Sequence, residues 1–165
     1  MHTTTRQAAA QLSSIRAMLA ALNCDYERLQ KLRDIRDELD TPDTQSGLAT
    51  WDASSEGDEL RDMEEAAGNC EDQEEALERI YEDPLSVQVQ SGWHNPGEKS
   101  QLEEFEILLC TGGPAVRIMG DLNEHNEPCR AYMQYQDWGT PWTDYYEEGC
   151  GDVCLEYAQV FYFGE

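Results

Sequence analysis

The residues whose type and spacing most clearly suggest a chemistry in this chain are carboxylates. Between Asp58 and Asp83 the stretch "DELRDMEEAAGNCEDQEEALERIYED" holds twelve acidic side chains and two arginines. A solvated helix usually mixes both signs, because Glu and Lys three or four positions apart attract each other and like charges at that spacing repel. A run of one sign therefore predicts a surface that binds a cationic partner, with an ordinary solvated acidic face as the simpler alternative.

The density of this charge is similar to that of a nucleic-acid strand. The 26 residues carry a net charge of −10, and as helix they would extend over about 39 Å. The resulting spacing of about 4 Å per charge is close to the ~3.4 Å per phosphate of one DNA strand. Gly68 must bend the path, so the match concerns density. The carboxylates predicted to bind a partner are Asp58, Glu59, Asp62, Glu64, Glu65, Glu71, Asp72, Glu74, Glu75, Glu78, Glu82 and Asp83.

A second candidate surface is the aromatic stretch "DWGTPWTDYY" over residues 137–146. It contains two tryptophans and two tyrosines, interrupted by Gly139 and Pro141. Such a stretch is typical of a loop folded over the open face of a sheet. The alternative is an interface anchor, since Trp is enriched in interface hot spots. We therefore add Trp138 and Trp142 to the predicted partner-binding residues.

Candidate catalytic residues are few. His94 in "SGWHNPG" and His125 in "NEHNEP" lie in turn-like segments, where exposed polar residues are ordinary. No Ser or Cys stands in a nucleophile-elbow setting, and "CTGGP" lacks the lysine and helix start of a phosphate cradle. The sequence therefore predicts a protein that is not an enzyme, with no catalytic residues and no cofactor.

Metal binding is not predicted either. Cys150 and Cys154 are four positions apart, with Cys129 earlier in the chain, but a structural zinc site usually has a second matching pair. The stretch "DASSEGDELRD" does not keep the ligand spacing of an EF-hand. The six cysteines are expected to be reduced and mostly buried thiols.

The elements that must position these residues begin with a long helix. Apolar residues recur at alternating four- and three-residue steps from Ala8 to Leu29, which is the seam of a coiled coil. Leu32 and Leu39 continue the seam after one slip in register, so one helix is predicted over residues 5–39. The seam either dimerises the protein or packs on the rest of the chain, and the sequence leaves both possibilities open.

Two acidic helices and a sheet are predicted beyond this helix. Residues 41–57 read as a polar loop, and helices over 58–67 and 72–82 each present one apolar stripe and one carboxylate face. Alternating apolar residues then predict an antiparallel meander of four strands, followed by a C-terminal helix. The predicted fold class is α+β, with an N-terminal helix over 1–40, a linker over 41–57 and a domain over 58–165.

These elements predict which changes the fold tolerates. Residues 85–163 contain their own strands and a covering helix, so they are expected to fold without residues 1–40. Carboxylates that lie off the apolar stripes are expected to be replaceable without loss of structure. They are Glu64, Glu65, Asp72, Glu75 and Glu78.

The charge of the whole chain limits its partners. Thirty-five acidic against eleven basic residues give a net charge of −24, beyond the range of about 2 to 8 that keeps a small domain soluble. Such a charge repels nucleic acid, membrane surfaces and anionic metabolites, and it attracts a basic surface. The sequence has no apolar stretch of membrane-spanning length and no secretory signal, so the protein is expected in the cytoplasm.

In size, in charge and in the separation of an acidic helical face from a small sheet, the chain resembles anti-defence proteins of phages and plasmids. These proteins imitate DNA, and they include anti-restriction and anti-CRISPR inhibitors. Four stretches over roughly residues 83–165 are similar to segments of small proteins of proteobacterial phages and prophages, a family without an assigned activity. The stretches are "DPLSVQVQSGWHNPGE", "ILLCTGGPAVRIMGDL", "QYQDWGTPWTDYY" and "FYFGE". The resemblance implies a phage protein that acts in a bacterial cytoplasm.

Charge and resemblance together predict an inhibitor of a bacterial host defence complex. It would bind a basic nucleic-acid-binding surface of a nuclease or nucleoprotein through carboxylates that imitate phosphates, without binding nucleic acid or membrane itself. A homodimer is expected if the helical seam is intermolecular. The alternatives are a phage assembly or regulatory module that uses the aromatic loop, and a small enzyme. The sequence does not distinguish a CRISPR complex from a restriction enzyme or another nuclease as the target.

Overall fold

Helical and alternating apolar patterns divide the chain into a helical part and a sheet. The computed structural model describes residues 3–41 and 43–164, without the side chain of Gln45. The helices before the sheet are α1 (Thr3–Leu22), α2 (Tyr26–Leu39), α3 (Gln45–Asp52), α4 (Ser55–Ala67) and α5 (Gln73–Glu82). The strands are β1 (Ser86–Ser91), β2 (Leu102–Cys110), β3 (Ala115–Leu122), β4 (Pro128–Gln136) and β5 (Thr143–Asp144), and α6 (Cys150–Ala158) follows. Backbone contacts divide the described residues into a first unit, 3–16 with 79–164, and a second unit, 17–78.

The sheet is an antiparallel meander in which each strand pairs with its neighbour in the sequence. Ile107 lies opposite Val87 on one side and Ile118 on the other, and Ile118 lies opposite Met133. Because side chains alternate along a strand, this register gathers the apolar residues on one face. The antiparallel sheet is confirmed, but it has five strands where four were predicted. The fifth strand was not predicted, since its two residues are too few to show alternation.

The apolar face of the sheet supplies the core of the first unit. Phe105, Ile118 and Met133 are buried on it, and α6 packs against β4 and adds the fully buried Tyr157. The Tyr157 hydroxyl donates a hydrogen bond to Asp83 at 2.7 Å. Burial, together with this bond to a carboxylate, raises the pKa of Tyr157 well above its ordinary value.

The first turns of α1 belong to the same unit as the sheet. Ala8, Leu12 and Ile15 are fully buried. Arg16 forms an ion pair with Glu147, in the segment between β5 and α6. The expectation that the sheet and last helix fold without residues 1–40 is therefore not supported, because α1 supplies part of the buried apolar surface of their unit.

The single helix predicted over residues 5–39 is two helices. Asp25 lies between them and begins α2, where its side chain accepts a hydrogen bond from the Arg28 backbone N–H at 3.0 Å. Asp is among the residues that favour this N-cap position, because its short side chain satisfies a free backbone donor. Seam residues on both sides of the break, such as Leu19 and Leu29, are buried within the chain. The coiled coil is therefore not confirmed.

The second unit is helical. Leu29 of α2 packs with Leu60 and Ala67 of α4. Residues 41–57, predicted as a polar loop, contain α3, and Trp51 of this helix packs against the same cluster. A run of Thr, Ser, Asp and Gly hid this helix from sequence reasoning, since such residues favour turns.

The α+β class predicted from the sequence is confirmed, with both acidic helices present as α4 and α5 and the C-terminal helix present as α6. Among the described residues, no helix is long and apolar enough to cross a membrane.

Candidate partner-binding surface

Seven of the twelve carboxylates between Asp58 and Asp83 have a partner within the described chain, and arginines of α2 supply the first of these partners. Arg28 forms a bidentate pair with Glu59, with N–O distances of 2.9 and 2.7 Å. The hydrogen bonds donated by Arg28 lower the pKa of Glu59 from its ordinary value of 4.5, because they favour the ionised form. Glu59 is therefore already neutralised and has little charge left to offer a partner.

Two more arginines of α2 hold a second pair of carboxylates. Arg33 lies 3.2 Å from Glu64 and 3.4 Å from Glu71, and Arg36 lies 3.3 Å from Glu64. These side chains join α2 to α4 and to the segment that precedes α5. The N-terminal part of the sequence, which has no net charge, thus neutralises part of the acidic run that follows it.

Three further carboxylates stabilise local structure. Asp72 accepts a hydrogen bond from the backbone N–H of Glu75 at 2.8 Å, and the Glu75 side chain accepts one from the backbone N–H of Glu71 at 2.7 Å. Together they satisfy free donors at the start of α5. Asp58 pairs with Arg61 one turn later on α4. Asp83, which accepts from the Tyr157 hydroxyl, is the seventh.

The other five carboxylates are exposed and have no partner among the described residues. They are Asp62, Glu65, Glu74, Glu78 and Glu82, called the free carboxylates below. Asp62 and Glu65 are three positions apart on α4, and Glu74 and Glu78 are four apart on α5. Residues at these spacings are neighbours on a helix surface, so each of the two helices presents an unneutralised pair in the second unit.

This division corrects the expectation that every acid off the apolar stripes is replaceable. Glu64 bridges two arginines, and Asp72 and Glu75 cap α5. Replacing any of the three removes a structural contact. The expectation still holds for Glu65 and Glu78, which contact no described residue through their carboxylates.

One free carboxylate also lines a cleft in the second unit. The cleft has a volume of about 520 Å³ and lies between the α1–α2 junction and α4. Its acidic residues are Asp25, Asp58, Glu59 and Asp62, and its apolar surface comes from Ala20, Cys24, Met63 and Ala66. A Lys or Arg side chain has a matching construction, with an apolar stem and a charged end. Arg28 and Arg61 neutralise two of the four carboxylates, so the cleft remains negative.

Sequence reasoning missed Asp25 as a member of this cleft, because it placed Asp25 inside a continuous helix. The available signal was the pair Asn23 and Asp25, both typical of helix caps. It also missed the roles of Arg28 and Arg33. These arginines lie 31 positions before their carboxylates, a distance at which a sequence pattern does not report contacts.

The two predicted tryptophans have different environments. Trp142 is half-buried, with the Arg117 guanidinium 4.1 Å from the centre of its ring. Trp138 is 78% exposed, and its indole N–H donates to the Gly112 carbonyl at 3.3 Å. Its ring also lies against Gly113, where a larger residue would collide with it. Trp142 therefore packs against a sheet residue, whereas most of Trp138 is accessible to a partner.

The histidines and cysteines considered above occupy ordinary surroundings. His94 is exposed, with its ring 3.3 Å from the Gly92 carbonyl, and His125 is exposed, 3.5 Å from its neighbour Glu124. Within the described residues no group of three metal-ligating side chains could hold an ion.

The thiols of Cys150, the first residue of α6, and Cys154, one turn later, lie 3.9 Å apart, and both are buried. Their hydrogen bond lowers the pKa of Cys150 and raises the pKa of Cys154. Both therefore pack as core thiols.

No family model, no curated protein and no solved structure matches this chain. Support for a function comes from the placement of the free carboxylates and from the charge of the chain.

Proposed function

We propose that this protein is a non-enzymatic inhibitor of a bacterial host defence nuclease or nucleoprotein complex, such as a CRISPR or restriction complex. It binds the basic surface on which that complex holds nucleic acid, and its carboxylates occupy the positions of phosphates. In this proposal the protein is encoded by a phage, acts in the bacterial cytoplasm, and binds neither nucleic acid nor membrane itself.

The observation that carries this proposal is the exposure of Asp62, Glu65, Glu74 and Glu78, none of which forms an ion pair or hydrogen bond with a described residue. Arginines were available to the chain, and three of them neutralise other acids of the same helices. Unpaired like charges on neighbouring helical positions destabilise a helix. A cationic partner that removes this repulsion on binding would explain why the surface carries unpaired carboxylates.

The geometry of these pairs fits widely spaced cations. Glu74 and Glu78 are separated by about 6 Å along the helix axis. This is about twice the spacing between successive phosphates of one DNA strand. The density is lower than the sequence suggested, because seven of the twelve acids are used within the fold. The cleft beside Asp62 can receive a single Lys or Arg, with its stem on Met63 and Ala66.

A capture experiment with matched variants tests this proposal. The protein is immobilised, exposed to bacterial lysate and eluted with a salt gradient, and eluted proteins are identified by mass. The test variant carries Asp62→Lys, Glu65→Lys and Glu78→Lys. All three positions are exposed and lie outside the first turn of their helices, so a lysine does not oppose the helix dipole.

The control variant carries Glu103→Lys, Glu104→Lys and Glu148→Lys, which are exposed acids of the first unit. Both variants change the net charge equally, so they separate the site from the total charge. We expect a nucleic-acid-binding protein that elutes with salt. We also expect at least about tenfold weaker binding to the test variant, or about 1.4 kcal/mol over three reversals. An equal loss of binding in both variants contradicts the proposal, and so does normal binding to both.

A second candidate function is a phage assembly or regulatory module that binds protein through the aromatic loop. The observation in its favour is Trp138, a large aromatic side chain with most of its surface exposed. Its test is Trp138→Ala in the same capture experiment. Loss of binding in this variant, with normal binding to the lysine variant of α4 and α5, favours the aromatic loop over the carboxylates.

A further inference from the structure

The outer edge of the sheet at β1 is unpaired. β1 is the first strand of the sheet order and, among the described residues, pairs only with β2. Along its other edge, none of the backbone groups of residues 86–91 bonds to a described residue. Such an edge is a template for another strand, because its free N–H and C=O groups are spaced for a ladder.

The sequence of this edge lacks the usual protection against pairing. Natural edge strands carry charges, especially Lys, that keep other strands away. From Pro84 to Gly97 the chain has no Asp, Glu, Lys or Arg, and this is the longest uncharged stretch of a protein with a net charge of −24. Two copies of such a protein repel each other over most of their surfaces. β1 is the place where they can approach with the least repulsion.

The side chains of β1 have an apolar face and a polar face. Leu85, Val87 and Val89 are 59%, 38% and 43% exposed, although Val87 and Val89 lie opposite the buried Ile107 and Phe105 on the core side of the sheet. The alternate positions, Gln88 and Gln90, are on the other face. The apolar face of the sheet therefore continues to its edge without being covered there.

From these observations we propose that β1 pairs with β1 of a second copy of this chain, antiparallel, to form one continuous sheet across a two-fold axis. The surface is self-complementary: valine of one copy meets valine of the other on the apolar face, and polar residues meet polar residues on the opposite face. An extended peptide from a different protein would find the same backbone groups. A second copy is favoured because β1 carries no charge and because its apolar and polar positions match those of another β1 that runs antiparallel to it.

The register of this pairing follows from symmetry. A two-fold axis between antiparallel edge strands is perpendicular to the sheet, so it keeps the apolar face of both copies on the same side. Pairing with β2 is regular from Ser86 to Gln90 and shifts after Gln90. The centre of this regular part is Gln88. The axis therefore passes at Gln88, which faces Gln88 of the partner subunit, and Val87 faces Val89 of the partner subunit.

This dimer is expected to be weak and to become more stable as salt is added. Five residues a side bury less than the roughly 1,200 Å² of a standard stable interface. Salt screens the repulsion between two acidic molecules, so dimerisation strengthens as salt is added. Binding of a basic target through the free carboxylates weakens under the same change. The two associations are thus distinguishable, and the dimer does not depend on the proposed function.

Sedimentation of the full chain across concentration and salt is the first test. We expect the average mass to rise from monomer towards dimer between about 10 µM and 1 mM, and to rise further between about 20 and 300 mM salt. A protein that stays monomeric at the highest concentration and salt overturns the proposal. Val87→Lys and Val89→Lys, at exposed positions, are expected to keep the protein monomeric. Dimerisation of both variants as in the parent also overturns it.

Tyr146→Lys is the matched control, since Tyr146 is an exposed aromatic residue that follows β5 at the opposite edge of the sheet, and it is expected to dimerise like the parent. Disulfide trapping then tests the register in a Cys129→Ser background, which removes the exposed native thiol. Gln88→Cys is expected to cross-link under mild oxidation, because directly opposite residues lie within disulfide reach. Ser86→Cys, on the same face, is expected not to cross-link. In this register the introduced cysteine of one copy would lie about 13 Å along the strand from that of the other. Equal cross-linking at both positions contradicts the register.

Discussion

At the scale of single residues, a carboxylate in this protein either holds the fold or faces solvent. Glu64 and Glu65 are neighbours in the sequence, yet Glu64 bridges Arg33 and Arg36 while Glu65 has no partner among the described residues. The positions of the acids are read directly from the sequence, but the difference between paired and free carboxylates could not be predicted from it. The arginines precede Glu64 by 31 and 28 positions, and only the packing of α2 against α4 brings them within reach.

The first prediction compares these two neighbours. Glu64→Gln is expected to lower the free energy of unfolding by about 1 kcal/mol, because it removes one charge that two arginines share. Glu65→Gln is expected to leave stability unchanged or to raise it slightly, since it removes only repulsion. Denaturant unfolding at low salt measures both. Equal destabilisation by the two substitutions would show that the arginine network has no energetic role.

The second prediction concerns pH and Glu59. Its pKa in the folded protein is below the ordinary 4.5, because Arg28 bonds the ionised form. A lowered folded-state pKa contributes stability that is present above the unfolded-state value and lost as the pH falls through the folded-state value. The difference in unfolding free energy between the parent and Glu59→Gln is therefore expected to be constant near neutral pH, to decline as the pH falls below 4.5, and to disappear once the pH is below the lowered folded-state pKa.

Unfolding curves of the parent and Glu59→Gln at several pH values measure this difference. A difference that grows as the pH falls below 4.5 would contradict the assigned ion pair. The Glu65→Gln variant is the control, since that carboxylate forms no ion pair with a described residue.

At the scale of elements, the alternation of apolar and polar residues predicted the strands well. The helical spacing of apolar residues predicted the helices less well. β2, β3 and β4 each bury one face, so their apolar residues alternate, as Phe105, Ile107 and Leu109 do, and the apolar residues of β1 alternate as well although they are exposed. The apolar seam of the N-terminal helices continues through the Asn23–Asp25 break, and a continuous seam does not reveal a break. Whether the seam faced another chain could not be predicted either, since burial within the chain and burial in a dimer need the same residues.

The third prediction follows from the burial of α1. Deleting residues 1–22 is expected to abolish cooperative folding of the sheet, because Leu12 and Ile15 are fully buried. Leu12→Ala, a milder change, is expected to cost about 2 to 5 kcal/mol. Ser13→Ala, at the exposed neighbouring position, is expected to have little effect. Near-ultraviolet circular dichroism during thermal unfolding measures all three. A deleted chain that unfolds cooperatively at the parent temperature would contradict this account of the core.

At the scale of the whole molecule, the net charge of −24 is expected to dominate association with other molecules. The sign of this charge predicted a basic partner class from the sequence alone. The composition could not tell which acids remain free, because that depends on the pairs formed within the fold. The two proposed contacts, through the free carboxylates of α4 and α5 and through the neutral edge of β1, are expected to respond to salt in opposite ways. Added salt weakens the first kind of contact and strengthens the second.

Competition between nucleic acid and this protein for the captured partner shows directly whether the free carboxylates replace phosphates. The partner is titrated with the protein in the presence of increasing duplex DNA or RNA at fixed salt. If the free carboxylates occupy phosphate positions, the apparent dissociation constant is expected to rise in proportion to the nucleic acid added, with no ternary complex. A ternary complex of protein, partner and nucleic acid, with unchanged affinity, would contradict the claim that the free carboxylates replace phosphates.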